Sequence, residues 1–156
     1  MLNMAIRELY TTNLGLKRDE KVIVFTDSLV PQEDVSNSDR KRREGLLSLA
    51  RKVAEIGSEI NQNITFIIYP SLMSHGMEPP REIWLEAFGD RTIRELEDRG
   101  FFKKMIHKES LSEQDTQMIN SVVESNKHDA IDVVIALSNF SLLVFSFPPK
   151  PESNFL

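Results

Sequence analysis

Cysteine is absent from this 156-residue chain. Disulfides, a thiolate nucleophile and cysteine-based zinc sites are therefore excluded. The absence fits a reducing cytoplasm, which is the expected compartment. Histidine is scarce, and His75, His107 and His128 stand far apart with no HExxH spacing among them. The six glycines are scattered. Neither a GxGxxG fingerprint, a GxxxxGK[ST] loop nor a GxSxG elbow occurs, so the dinucleotide, P-loop and α/β-hydrolase readings lose their signatures. No apolar run approaches the roughly 18 residues that a membrane span needs. The opening residues Met1 to Glu8 carry early charges in a helix pattern, unlike a secretory leader. Basic excess is lacking too: the net charge is −5, which argues against nucleic acid as a partner.

Three short, β-prone apolar runs stand out from the rest. Val22 to Thr26 is the first, Ile64 to Tyr69 the second and Ile131 to Leu137 the third. Stretches with helical periodicity separate them, which predicts a mostly parallel sheet buried on both faces. The fold class expected is α/β: three-layer and Rossmann-like in the loose sense, with residues 1–141 as a single domain. The spacing predicts helices over 2–14, 40–56, 81–88, 91–99 and 112–125. Ser38 or Asp39 is expected to cap the second of these, and Gly57 to end it. Leu2, Ile6, Leu9 and Tyr10 share one face of the first helix, and Met118, Ile119, Val122 and Val123 are expected to point inward from the last. Ser112-x-x-Asp115 reads as a capping signature. Residues 101–107 read equally as strand or helix. Residues 142–156 are apolar, then proline-rich, and read as an edge strand or a tail.

In open parallel sheets ligands sit beyond the carboxyl ends of the strands. Asp27 ends the first strand, Asn139 follows the third, and His75 and Glu78 lie in the loop after the second. These four are the candidate ligand-binding residues. His75 with Glu78 has a sharp reading, a metal or acid/base pair, and a plain one, a turn made permissive by Gly76 and stiffened by Pro79 and Pro80. Asp27 and Asn139 likewise read as crevice residues or as loop caps. Arg40-Lys41-Arg42-Arg43 reads as a solvated helix start, since no aromatic side chain lies among them to stack on a base. No catalytic residue and no metal ligand is assigned.

Two segments carry a resemblance. Leu16-Lys17-Arg18-Asp19-Glu20-Lys21-Val22-Ile23-Val24-Phe25-Thr26-Asp27 resembles the opening of the N-terminal domain in the aminopeptidase T-like family (peptidase family M29). Asp132-Val133-Val134-Ile135-Ala136-Leu137-Ser138 is similar to a later strand of that domain, and His75-Gly76-Met77-Glu78-Pro79-Pro80 to one of its loops. The resemblance covers about residues 2–141 and stops where the family's continuation would begin. Members are metal-dependent aminopeptidases, dimers of two-domain subunits, with their metal ligands in the carboxyl-terminal domain. It implies a stand-alone or shortened relative of the N-terminal domain, non-catalytic alone and acting as a binding or assembly module. No cofactor is expected, and a divalent metal only with that second domain. The alternatives are a part of a metal-dependent leucyl aminopeptidase and an independent small-molecule-binding α/β domain. A homodimer and a small-molecule or peptide ligand are the partners implied.

Overall fold

A computed structural model describes residues 1–140 and the short strand Asn154–Phe155. The chain is mixed α/β, with six α-helices among the described residues. Helix α1 (Leu2–Glu8) runs into a π-helical turn, Leu9–Asn13. Strand β1 (Val22–Ser28), helix α2 (Asn37–Ile60) and strand β2 (Ile64–Pro70) follow. Helices α3 (Arg81–Phe88), α4 (Asp90–Asp98), α5 (Phe101–Ile106) and α6 (Glu113–Ser125) then lead to strand β3 (Val133–Ala136). The expected edge strand or tail over 142–156 lies outside the described residues, apart from β4 (Asn154–Phe155).

The sheet is parallel, in the order β2-β1-β3, with the two residues of β4 beside β3. β1 is central and buried from Val22 to Asp27. Side chains alternate across a strand, and the two faces bury different partners. Ile23, Phe25, Tyr69 and Val134 pack with Trp84, Ile93, Leu96, Phe102 and Ile119 of helices α3 to α6. Val22, Val24, Val133 and Ile135 pack with Ile6 and Tyr10 of the first helical segment and Val53, Ala54 and Ile56 of α2. Apolar burial of this kind contributes roughly 25 cal/mol per Å² of area removed from water.

Polar side chains fasten the amino ends of the strands. Asn61 Nδ2 donates to the Lys17 and Glu20 carbonyls at 2.9 and 2.8 Å, while its Oδ1 accepts the Asn63 N–H at 2.6 Å. Asp132 exchanges two bonds with Lys21, each 2.9 Å. At the joint of α3 and α4, Gly89 has φ +83°, and an added Cβ would meet the Asp129 Cβ at 2.7 Å. Glycine suits both demands.

Some expectations are corrected, one left open is decided, and one is met. The cap of α2 is Ser36, whose hydroxyl accepts the Asp39 N–H at 3.2 Å. Gly57 lies inside α2 rather than ending it, because the Tyr10 ring occupies the space where a side chain would stand. Residues Phe101–Ile106 are helical. Leu2 and Met118 are exposed, at 55% and 39%, so the buried stripe of α6 is Ile119 and Val122. The Ser112–Asp115 capping box forms in both directions.

Candidate functional site

The order β2-β1-β3 has a functional consequence. From β1 the chain passes through α2 to one side of the sheet, and from β2 it crosses to the other side. The connections therefore diverge at the carboxyl ends of β1 and β3, the switch point where open α/β sheets place ligands. Asp27 stands there, 7% exposed, near the end of β1. Its Oδ1 accepts the Asn139 N–H at 2.6 Å. Its Oδ2 makes no hydrogen bond among the described residues. The adjacent Thr26 hydroxyl donates to the Leu137 carbonyl at 2.7 Å. Both bonds hold the chain leaving β3 against the end of β1.

Tyr69 pairs in register with Asp27 across the β1–β2 ladder. Its hydroxyl lies 2.9 Å from the Ser138 hydroxyl. Burial pushes the phenol up to about 12, with the Asp27 charge adding to the rise and the Ser138 bond opposing it. The phenol is therefore neutral at ordinary pH and supplies one proton for hydrogen bonding. Together these groups make a short polar ledge: a carboxylate, a phenol and a serine hydroxyl.

A second network braces the ledge from the side. Arg43 Nε donates to Asp39 at 2.9 Å, and Arg43 Nη1 pairs with Glu33. The Arg43 and Glu33 side chains are 11% and 5% exposed. Burial alone would raise the Glu33 carboxyl. Hydrogen bonds from Ser71, Arg43 and the Val30 N–H, with the Arg43 charge, more than offset it and hold the group low. The Arg43 guanidinium also lies over the Phe140 ring, 5.0 Å from its centroid, within cation–π range. Arg42 donates to both Asp39 and Asn139. Of the basic cluster, Arg40, Lys41 and Arg42 are exposed as expected, whereas Arg43 is not.

The four residues singled out from the sequence separate into two groups. Asp27 and Asn139 touch directly. His75 is exposed and reaches the same corner through Phe140, edge to face, with ring centroids 5.0 Å apart. Among the described residues no hydrogen bond or ion pair brings Glu78 to Asp27 or Asn139. Its Oε2 is buried and has no hydrogen-bond partner among the described residues, and burial raises its carboxyl while Lys108 draws it back. Lys108 Nζ donates to the Gly76 carbonyl, tying that loop to the end of α5. His107 and His128 are exposed.

Tyr69, Ser138, Glu33 and Arg43 were not legible as site residues. Tyr69 sits at the end of an apolar run, and only the parallel register sets it beside Asp27. Among the described residues no three histidine or acidic side chains converge as metal ligands, and no helix is long and apolar enough to cross a membrane. Set against protein-family models, curated proteins and solved structures, the chain matches none.

Proposed function

We infer that the chain is a small-molecule-binding α/β domain whose site is the crevice between the ends of β1 and β3. One observation carries the reading: the Asp27 carboxylate stands at the switch point with one oxygen held by Asn139 and the other unbonded among the described residues. A carboxylate beside two hydroxyl groups favours a ligand that presents hydrogen-bond donors, such as a polyol or an amine. The reading includes a three-layer, Rossmann-like arrangement, supported by the two apolar clusters on opposite faces of the sheet, and a reducing, cytoplasmic setting.

The test is thermal melting of the full chain against nucleosides, amino acids and polyols. A ligand present at about 100 times its Kd adds roughly 2.7 kcal/mol to stability. Asp27→Asn keeps an acceptor for Asn139 but replaces the second oxygen with a donor. It is expected to abolish the shift. No shift with any ligand class, or an equal shift in Asp27→Asn, would sink the reading.

A second reading follows the family resemblance: a stand-alone or shortened relative of the aminopeptidase T-like N-terminal domain, acting as a binding or assembly module. The two resembling strand segments run side by side as β1 and β3, which favours it. Part of a metal-dependent leucyl aminopeptidase is the companion alternative. Hydrolysis of leucine p-nitroanilide with added zinc, cobalt or manganese separates the two. Turnover by this chain alone would contradict a non-catalytic module.

A further inference from the structure

We propose that the outer edge of β2 pairs with the same edge of a second copy of this chain, joining two sheets across a two-fold axis at Phe66. The ladder determines which main-chain groups are free. The Asn63 carbonyl accepts from Val22 and the Ser71 N–H donates to Ser28, so the odd-numbered residues of β2 face β1. Main-chain groups alternate in direction along a strand. Ile64, Phe66 and Ile68 therefore aim their N–H and C=O groups away from β1. None of them has a hydrogen-bond partner on that side among the described residues.

This edge lacks the usual protections. Edge strands are blunted by charged side chains, an interior proline or a bulge. The β2 sequence Ile-Thr-Phe-Ile-Ile-Tyr-Pro has no charged residue, and its proline stands only at the end. Its register with β1 is unbroken from Ile64 to Pro70, without a bulge. Ile64 through Ile68 are half-buried, whereas the residues of β1 beside them are fully buried. The sheet's far side differs, since β4 lies there beside β3.

The edge is self-complementary. An antiparallel copy centred on Phe66 sets Phe66 against Phe66 and Ile64 against Ile68 of the second copy. Each such pair exchanges both of its main-chain hydrogen bonds. No charge meets a like charge along the seam. A heterologous match would leave one edge open and propagate; the two-fold match closes. A seam this short, below the size of most permanent interfaces, gives a dimer with a Kd on the order of micromolar.

The test is sedimentation velocity of the full chain from about 1 to 500 μM, with amide exchange read residue by residue at both ends of that range. A concentration-dependent dimer is expected, with new protection at the amides of Ile64, Phe66 and Ile68 and none at Thr65 or Ile67. Ile68 belongs to neither apolar cluster, so Ile68→Lys is expected to keep the fold and to raise the dimer Kd at least tenfold. If that variant does not fold, the amide pattern of the unaltered chain decides. A monomer throughout, open-ended assembly, or a dimer without protection at those three amides would overturn the proposal.

Discussion

Tyr10 lies across Gly57: its hydroxyl donates to the Val53 carbonyl at 3.0 Å, and a Cβ built on Gly57 would stand 2.5 Å from the Tyr10 hydroxyl oxygen. In an exposed helix, replacing glycine by alanine stabilises by up to about 1 kcal/mol. Here the sign reverses, because Tyr10 is fully buried and its ring cannot swing away. Gly57→Ala is expected to lower stability by roughly 1–3 kcal/mol, the usual range for overpacking. Urea denaturation measures it. In a Tyr10→Ala background the same substitution should become neutral or stabilising; an equal loss there would show that the clash is not the cause.

The chain has two tyrosines, Tyr10 and Tyr69, and burial raises both. A raised acid favours the fold while it is neutral. Its contribution is present in full below pH 10, the ordinary phenol value, and is lost as pH climbs through the folded value, about 12 for Tyr69. Tyrosinate absorbance should therefore stay flat through pH 10 in the folded chain and rise only near 12, together with unfolding. In concentrated urea it should rise at about 10. Half the signal appearing at pH 10 in the folded chain would mean that one phenol is open to water.

Arg43 and Glu33 brace the ledge, and their pairing has a defined acid limit. Glu33 is held below its ordinary 4.5. A depressed carboxyl stabilises the fold above that ordinary value, and its contribution fades as pH falls through the folded value. Arg43→Ala should lower stability by about 1–3 kcal/mol at neutral pH, since Glu33 would keep its burial and lose its cation. The difference from the unaltered chain should shrink towards pH ~2. Arg43→Lys should restore only part of it, because an ammonium cannot reach Glu33 and Asp39 as a planar fork does.

The sheet was readable because its three runs are β-branched and bounded by polar residues; each became a parallel strand. The ends of α2 were not. Ser36 outcompeted Ser38 and Asp39 as its cap, and Gly57 looked like a stop signal because the residue that needs its missing side chain, Tyr10, is remote in sequence. Asp27 and Asn139 met because one stands near the end of β1 and the other follows the adjacent β3, a relation that topology alone supplies. Tyr69 and Ser138 escaped notice since register between parallel strands leaves no local mark. Arg43 hid inside a run of four basic residues, three of which are exposed.

Glu78 makes the opposite pH prediction from Glu33. Its Oε2 is buried with no hydrogen-bond partner among the described residues, and burial raises its carboxyl despite the attraction of Lys108. A raised carboxyl favours the fold below its ordinary 4.5, and that contribution is lost as pH rises through the folded value. At neutral pH the ionised group is thus a burden relative to a neutral side chain of the same shape. Glu78→Gln should stabilise by about 1 kcal/mol at neutral pH, falling towards zero at about pH 3. Lys108→Ala should destabilise the unaltered chain more than it does the Glu78→Gln variant, the coupling that a double-mutant cycle reads. Part of the Lys108 effect should survive in that background, because its Nζ also holds the Gly76 carbonyl. If Glu78→Gln instead weakens the fold at neutral pH, the carboxylate is being held by a cation or ligand beyond the described residues, and the loop of Gly76 and Glu78 becomes the second place to look for one.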